Sequence, residues 1–334
     1  MTSIKDVARL AGVSIATVSR AVNNLDVVSG ETRRRIQWAV DRLGYSPNLA
    51  ARSLKRRSAK LLGLLVPDIE NPFYATLAKN MEREASGAGY SLILCNTDGR
   101  IETENHYLKL LSGRLADGIF LCRSAVRASS LTVSGGKAIP LVFLEKQEEG
   151  DDRRSVMVDN SAVGVLAARH LLALGHRRLA CVMEDRRSLP FARRVRGFVA
   201  EAARRGVGVG PASIVEGGPR IADGRNAMQR LIRKRSPSRP TAVYCTNDLL
   251  AFGAMQAVFE AGLRIPGDIS LVGTDDVAQS SYMYPPLTTV RQPYADIARE
   301  ALRLLAQKTV PGGGDILLPP ELVARESAAP PGGG

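Results

Sequence analysis

The sequence is poor in the residues that build metal centres and disulfide frameworks, with three histidines and four cysteines among 334 residues. The spacing of His106, His170 and His176 fits no common metal motif, so no metal is expected. Each cysteine stands among apolar neighbours, which predicts buried, reduced thiols. The four are Cys95, Cys122, Cys181 and Cys245.

Long apolar runs and catalytic constellations are absent as well. No stretch approaches the roughly 18 apolar residues of a membrane span, and the N-terminus has no basic leader followed by an apolar core. No nucleophile stands beside a base, and Gly206–Gly210 lacks the glycine spacing of a dinucleotide fingerprint. These absences predict a cytoplasmic protein without a cofactor or membrane contact, and they do not favour an enzyme.

The positive charge is concentrated in a short N-terminal head. Of the net charge of +13, residues 1–60 contribute +8, from 12 basic and 4 acidic residues, and the rest of the chain contributes +5. A basic head on a nearly balanced body indicates that the head meets a polyanion. The alternative, a basic solvated tail, disagrees with the strong helical patterning of the head.

Three short helices are predicted in this head. Apolar residues recur at helical spacing within residues 4–11, and Gly12 suits the left-handed turn that ends such a helix. A serine caps a second helix over about 15–22, and Ser29 or Gly30 opens a third. Short helices joined by a glycine-containing turn form the helix-turn-helix plan.

The segment Ile4–Asn23, IKDVARLAGVSIATVSRAVN, closely resembles the N-terminal domain of the lactose-repressor/purine-repressor (LacI/GalR) family of bacterial transcription regulators. The resemblance implies that the second helix lies in the major groove, where Ile15, Ala16 and Arg20 read bases. It also implies a wider DNA-contacting set, whose other members mostly hold phosphates and set register. The full set is Thr2, Ile4, Ser14, Ile15, Ala16, Thr17, Ser19, Arg20, Asn23, Ser29, Asn48, Ala51, Leu54 and Lys55.

Side-chain chemistry directly supports one of the base contacts. Arg20 can donate two hydrogen bonds to a guanine edge, whereas Ile15 and Ala16 offer only apolar contact with a thymine methyl group. Packing within the head is the alternative for Ile15 and Ala16. Residues 33–35, all arginine, open the third helix, where they either face a phosphate or form a solvated charge run.

A hinge is expected at residues 46–60. Pro47 suits the first turn of a short helix, and the residues after it resemble the hinge helix of the family. The resemblance implies that this helix forms in the dimer on DNA, where Leu54 wedges into the central step of the operator minor groove and kinks the duplex. A flexible basic linker is the alternative, since so short a helix is marginal alone.

From residue 61 onward, apolar strands alternate with helices, which predicts doubly wound α/β lobes with a cleft between them. Strands are predicted at about 61–67, 91–95, 118–122, 140–144, 179–183, 242–245 and 269–273, and helices at about 73–89, 102–113, 162–174, 192–205, 222–234 and 248–261. The predicted domains are a helix-turn-helix head (1–45), the hinge (46–60), an effector-binding and dimerisation body (61–327) and a disordered tail (328–334). The N-lobe takes about 61–160 plus 291–322, and the C-lobe about 162–289.

The family resemblance extends to about Ser327, through stretches such as Thr246–Asp248 and Pro286–Thr289. It implies two parallel-sheet lobes of the periplasmic-binding-protein type, which hold a small-molecule effector between them and carry out no enzymatic chemistry. The residues that match effector-contacting positions are Phe73, Tyr74, Arg123, Asp159, Ser188, Arg194, Asn247, Asp275 and Gln292.

Some of these candidates have structural alternatives, and the chain departs from the family pattern near others. Arg194 and Asp275 could form a structural salt bridge, and Asn247 could be only the N-cap of its helix. The departures, which leave the identity of the ligand open, are Glu145 where aspartate is frequent, Pro190 and Phe191 where small polar residues are usual, and Pro219 and Thr274 where aromatic residues are common.

The chain ends without the leucine-heptad extension of tetrameric family members, so a homodimer and a palindromic operator are expected. The leading hypothesis is a repressor that binds double-stranded operator DNA and is controlled by a small metabolite, a sugar or sugar derivative. A corepressed regulator that responds to a nucleobase or nucleoside is the alternative. A solute-binding protein without DNA function and an enzyme on an α/β scaffold are the further hypotheses.

Overall fold

The computed structural model describes residues 2–23, 28–45, 58–112, 115–123, 139–146, 153–233, 239–307 and 315–332. The chain divides into two compact units, a head and a body, between Lys60 and Leu61. Four of the DNA-contacting candidates lie outside the described residues, and so does the side chain of Asn23. These four are Asn48, Ala51, Leu54 and Lys55.

The described part of the head contains three helices, as the sequence predicts. They are α1 (Ile4–Ala11), α2 (Ile15–Asn23) and α3 (Gly30–Leu43). Gly12 ends α1 in the left-handed conformation, at φ 60°, which glycine adopts without steric cost. Small apolar side chains from all three helices form the core of the head: Val7, Ala8, Ala11, Val18, Ala21, Ile36 and Ala39.

Arg35 has a role that neither interpretation of the arginine run anticipates. Its Nη2 atom donates hydrogen bonds to the carbonyl oxygens of Ala11, at 2.7 Å, and Gly12, at 3.3 Å. A Cβ atom at Gly12 would lie 2.6 Å from the same nitrogen. The guanidinium therefore satisfies carbonyl groups at the end of α1 and ties α3 to the turn.

The body consists of two lobes, each built on a sheet with six described strands. The strands are β1 (Leu61–Val66), β2 (Ser91–Asn96), β3 (Gly118–Leu121), β4 (Leu141–Phe143), β5 (Ser155–Val158), β6 (Leu179–Met183), β7 (Ile214–Glu216), β8 (Ala242–Cys245), β9 (Ser270–Asp275), β10 (Thr288–Arg291), β11 (Asp315–Leu318) and β12 (Glu321–Val323). The helices are α4 (Pro72–Gly87), α5 (Ile101–Ser112), α6 (Asn160–Ala173), α7 (Leu189–Arg204), α8 (Ile221–Ile232), α9 (Asp248–Glu260) and α10 (Tyr294–Ala306). No helix in the described part of the chain is long and apolar enough to cross a membrane.

The strand order places the carboxyl ends of several strands around one cleft. The first sheet has the order β11-β5-β4-β3-β1-β2, and the second has the order β12-β10-β9-β8-β6-β7. The described strand pairs are parallel, except for the antiparallel edge pair of β10 and β12. The order reverses beside β1 in the first sheet and beside β6 in the second, and open α/β sheets bind ligands at such reversals.

The structure contains several strands and one helix that the sequence analysis does not predict. The predicted strands do not include β5, β7, β10, β11 and β12, which have three or four residues each. Helix α10 was not predicted either. Helix α7 begins at Leu189, before the predicted start at residue 192, because Pro190 lies in its first turn, where proline is tolerated.

A glycine pair brings α6 and α7 into close contact. A Cβ atom at Gly197 would overlap the backbone oxygen of Ser161, and one at Gly164 would overlap the backbone oxygen of Arg194. Both distances would be shorter than 3.0 Å, and real Cβ atoms essentially never come that close to another heavy atom. Glycine at both positions therefore lets α7 cross α6 with its backbone in contact, and this sets the position of Arg194.

The prediction of a disordered tail is wrong for residues 328–332. The buried ring of His176 lies with Nε2 2.9 Å from the carbonyl oxygen of Ala329 and Nδ1 3.0 Å from Oγ1 of Thr241. The backbone N–H of Ala329 donates to Oγ of Ser270 at 3.1 Å. These tertiary partners order a proline- and glycine-rich segment whose composition alone predicts disorder.

The four cysteines are buried and carry free thiols, as predicted. Cys95, Cys181 and Cys245 lie in β2, β6 and β8, and Cys122 directly follows β3. Burial raises the pKa of the thiol at Cys122 and Cys181 well above its usual range. Such thiols act as small apolar core residues.

Candidate ligand-binding site and DNA-contacting surface

Side chains from both lobes converge on one cavity of about 280 Å³. Strand ends supply most of its charged and amide groups: Arg123 follows β3, Glu145 follows β4, Glu184 follows β6 and Asn247 follows β8. This volume includes space that is open to solvent. The lining residues are Asn71, Phe73, Tyr74, Arg123, Glu145, Glu184, Phe191, Arg194, Asn247, Asp275 and Gln292.

Seven of the nine sequence-predicted effector residues lie in this lining, and Asp159 and Ser188 do not. Oδ1 of Asp159 accepts a hydrogen bond from the backbone of Ala162 at 2.9 Å and so caps α6. Ser188 directly precedes α7, and its buried hydroxyl has no hydrogen-bond partner among the described residues. A role in ligand binding stays a prediction for all nine.

The other four lining residues are not among the predicted site residues. Asn71 belongs to the stretch Asn71–Tyr74 that carries the family resemblance, and Glu145 and Phe191 are departures from the family pattern. Glu184 directly follows the correctly predicted strand β6. The rule that ligands bind at the carboxyl ends of parallel strands would have identified Glu184 from the sequence.

Arg194 is fixed by the protein while it lines the cavity. The side chain is 2% exposed, Nε donates to Oδ1 of Asn160 at 2.7 Å, and Nη1 donates to the carbonyl oxygen of Thr246 at 2.5 Å. Nη1 also lies 3.7 Å from Oδ1 of Asp275. The salt bridge that the sequence left as an alternative is therefore present within the cavity, and it holds the guanidinium as a rigid hydrogen-bond donor.

Asp275 combines backbone strain with burial at the end of β9. Its φ of 118° is rare for a residue other than glycine, and such strain clusters at functional sites. Its Oδ1 accepts a hydrogen bond from Nε2 of Gln292 at 2.6 Å, and its carbonyl oxygen accepts one from the hydroxyl of Tyr294 at 2.9 Å. Burial raises the pKa of Asp275 well above its usual range, and the charge of Arg194 opposes this shift.

An ion pair joins the two lobes across the cavity. Nη1 of Arg123, in the first lobe, lies 2.7 Å from Oε1 of Glu184 in the second. Oε2 of Glu184 accepts a hydrogen bond from Nδ2 of Asn247 at 2.7 Å. Oδ1 of Asn247 also accepts one from the backbone of Leu250 at 2.8 Å, so this residue caps α9 and orients Glu184 at the same time.

The aromatic rings of the lining pack against other protein groups. Phe73 meets Tyr74 edge-on with ring centroids 4.8 Å apart, and it lies 5.6 Å from the ring of Tyr294. The guanidinium carbons of Arg123 and Arg194 lie 5.0 Å and 5.3 Å from the ring centroid of Phe191. The rings therefore shape the cavity and hold its arginines by cation–π contact.

Helix α2 of the head presents the predicted base-reading side chains to solvent. Ile15 is 45% exposed, and Ala16 and Arg20 are exposed as well. Ile15 and Ala16 are therefore not part of the core of the head, and their contact with DNA stays a prediction. Oγ of Ser14 accepts a hydrogen bond from the backbone of Thr17 at 3.1 Å and so caps α2.

The remaining described DNA-contacting candidates have structural contacts in the head. The hydroxyl of Thr2 donates to the carbonyl oxygen of Leu43 at 3.1 Å, and Ser29 caps α3. Ile4 packs against the core of the head, and Ser19 is half-buried on α2. Contact of these residues with DNA stays a prediction.

The head and the body each match a family of known proteins. Residues 3–48 match the family of bacterial regulatory proteins, LacI family, and residues 59–315 match the periplasmic binding proteins and sugar binding domain of the LacI family. A relative, the HTH-type transcriptional repressor PurR of Aliivibrio fischeri (strain MJ11), is 35% identical over 92% of each chain.

Two solved structures are similar over most of their length. A lac repressor dimer bound to operator and the anti-inducer ONPF has a TM-score of 0.84 at 28% identity, over 98% of this chain and 99% of that one. A LacI family transcriptional regulator from Enterococcus faecium with bound ribose has a TM-score of 0.69 at 28% identity, over 81% of this chain and 99% of that one. The chain thus belongs to the LacI family of bacterial transcription regulators, and it is a DNA-binding regulator with a helix-turn-helix head and a body of two parallel-sheet lobes.

Proposed function

We propose that this chain is a cytoplasmic repressor that binds a palindromic operator as a homodimer and responds to a sugar or sugar derivative held between its lobes. The observation that carries the proposal is the convergence of two arginines, three carboxylates and three amides on one cavity. Sugar hydroxyls both donate and accept hydrogen bonds, so they match such a set of oriented polar groups. The similar Enterococcus faecium regulator with bound ribose supports the same ligand class.

The packing of the aromatic rings favours a sugar over a nucleobase. A flat base gains affinity by stacking on a ring, and Phe191 is already in contact with two guanidinium groups. Pro219, at a position where the family often has an aromatic residue, supplies no ring. Hydrogen bonds therefore dominate the recognition that this cavity offers.

Exposed apolar groups on the body support a homodimer. Ile93 and Leu94 are each 40% exposed on β2, which is the edge strand of the first sheet. Tyr282 and Tyr284 are 86% and 88% exposed in the second lobe. Exposed edge strands and large apolar groups are usually covered in soluble proteins, and a second copy would cover them here. A twofold dimer requires a palindromic operator.

The ligand would act through the angle between the lobes. Because the lining comes from both lobes, a ligand in the cavity favours one lobe arrangement, and it changes operator affinity only by the difference between its affinities for the two arrangements. Whether the ligand releases or recruits the repressor follows from the sign of that difference.

Three measurements on the full chain test the proposal. Sedimentation should give a dimer, and selection from random DNA should give a symmetric consensus. In a thermal-shift panel of sugars, nucleobases and nucleosides, a sugar should raise the melting temperature, since a ligand at about 100 times its Kd stabilises by about 2.7 kcal/mol.

Other outcomes identify the alternatives. A shift with a nucleobase instead of a sugar would support the corepressed regulator. A chain without salt-dependent DNA affinity would be a solute-binding protein. Turnover of a sugar that disappears when Arg194 or Asp275 is changed would show an enzyme.

A further inference from the structure

One carboxylate of the cavity lacks the kind of partner that the other two have. Glu184 is held by Arg123 and Asn247, and Asp275 is held by Gln292 beside Arg194. Glu145 follows β4 and lines the same cavity, and it makes no hydrogen bond or ion pair with any residue that the structure describes.

The charges of the lining leave Glu145 uncompensated. Three carboxylates face two arginines, and each arginine lies within 4 Å of a carboxylate other than Glu145. Arg123 and Arg194 act on Glu145 only through longer-range attraction, while Glu184 repels it. Burial raises the pKa of Glu145, and the charges of Arg194 and Arg123 oppose this shift.

This arrangement discriminates between classes of sugar. A phosphorylated or carboxylated sugar would bring a second negative charge next to Glu145, where both arginines already contact other carboxylates. A neutral sugar would offer a hydroxyl donor but leave the charge uncompensated. A protonated amine supplies three donors together with a positive charge, so it forms the stronger, charge-assisted hydrogen bond.

Resting on the proposed function of this cavity, we infer that the effector is an amino sugar and that Glu145 selects it by pairing with its primary ammonium group. The hydroxyls of the same ligand lie among Arg194, Asn247 and Asp275. Glu145 is thus a specificity-determining residue, and the other polar groups of the lining recognise the sugar ring.

Calorimetric titration of the full chain near neutral pH tests this inference. The probes are D-glucosamine, D-galactosamine and D-mannosamine, each compared with its parent hexose, its N-acetyl derivative and the hexose 6-phosphate. We expect one hexosamine to bind at least about tenfold more tightly than its hexose and its N-acetyl form, as a charge-assisted hydrogen bond allows. The phosphate should bind most weakly.

A matched pair of variants assigns the preference to Glu145. Glu145→Gln keeps the size and removes the charge, so the ratio of the hexose Kd to the hexosamine Kd should fall to less than about threefold. Glu326→Gln removes an exposed carboxylate outside the lining, and it should keep the full preference. If Glu145→Gln does not fold, the ligand comparison on the parent chain decides alone.

The results that would overturn the amino-sugar inference differ from those that would overturn the proposed function. A hexose or hexose phosphate that binds as tightly as the amine, or an amine preference that survives in Glu145→Gln, overturns the inference and leaves a sugar-responsive regulator in place. If no sugar binds, whether amine, neutral or phosphorylated, the proposed function is wrong as well.

Discussion

Changing Gly197 to alanine should destabilise the body without removing any group from the cavity. The new Cβ atom would overlap the backbone oxygen of Ser161, closer than the 3.0 Å that real Cβ atoms respect. The obstructing atom belongs to the backbone of α6, so it cannot rotate away as a side chain would. Helices α6 and α7 would have to separate, and Arg194 would move with α7.

The size of the effect follows from the type of contact. Overpacking a well-packed interior typically costs about 1–3 kcal/mol, and a clash between two backbones belongs at the upper end of this range. For a domain of this size, each kcal/mol lowers the melting temperature by roughly 2–4 °C. We therefore expect Gly197→Ala to melt roughly 6–12 °C below the parent when unfolding is followed by circular dichroism.

A second glycine in a helix provides the control. Gly87 is the last residue of α4, and a Cβ atom there would meet nothing within 4 Å. Gly87→Ala should melt at or slightly above the parent temperature, because alanine loses less backbone entropy on folding than glycine does. If the two variants melt at the same temperature, the argument from the helix crossing is refuted.

Three further predictions concern the head, the hinge and the tail. Arg20→Lys should relax specificity at one operator position, since a bidentate arginine–guanine contact discriminates by about 1–3 kcal/mol; an unchanged base preference in a site selection would indicate a phosphate contact instead. Leu54→Ala should weaken operator binding in an anisotropy titration while the melting temperature and the ligand Kd stay unchanged, and unaltered operator affinity would remove the wedge hypothesis. His176→Gln should lower the melting temperature more at about pH 7.5 than at about pH 5.5: burial lowers the pKa of His176 below its usual 6.5, so the stability that the neutral ring contributes is present above pH 6.5 and is lost as the pH falls. The parent chain and His176→Gln share the same buried carboxyl groups, so these groups do not change the comparison between the two. If the difference between their melting temperatures is the same at both pH values, the neutral ring of His176 does not contribute the stability described here.

The parts of the fold that the sequence predicts are those whose signal is local. The helices of the head follow from apolar spacing, from Ser14 as a cap and from Gly12 as a stop. Strand β1 follows from its unbroken apolar run, which is typical of a strand buried in a parallel sheet. By contrast, β7 and β12 form the two edges of the second sheet, and each is defined by its pairing with one neighbouring strand.

In the candidate site, too, the sequence indicates some residues, whereas their contacts depend on the tertiary structure. Family resemblance indicated Arg194 and Asp275, and strand positions could have indicated Glu184. The partner of each charge depends on tertiary structure, however, and no local pattern shows that Glu145 lacks one. The fit of Ala329 over His176 likewise joins segments 153 residues apart in the chain, so composition alone misjudged the tail.

The central claim is that a ligand in the cavity controls DNA binding, and titration of the selected operator with and without the ligand tests it most directly. With the ligand identified by thermal shift, the operator Kd of the parent chain should change by about 5- to 150-fold, the usual range of allosteric coupling. The same titration with Asp275→Asn should show little change, because we expect that variant to bind the ligand more weakly. An operator Kd that stays the same in the parent chain at saturating ligand would contradict the account.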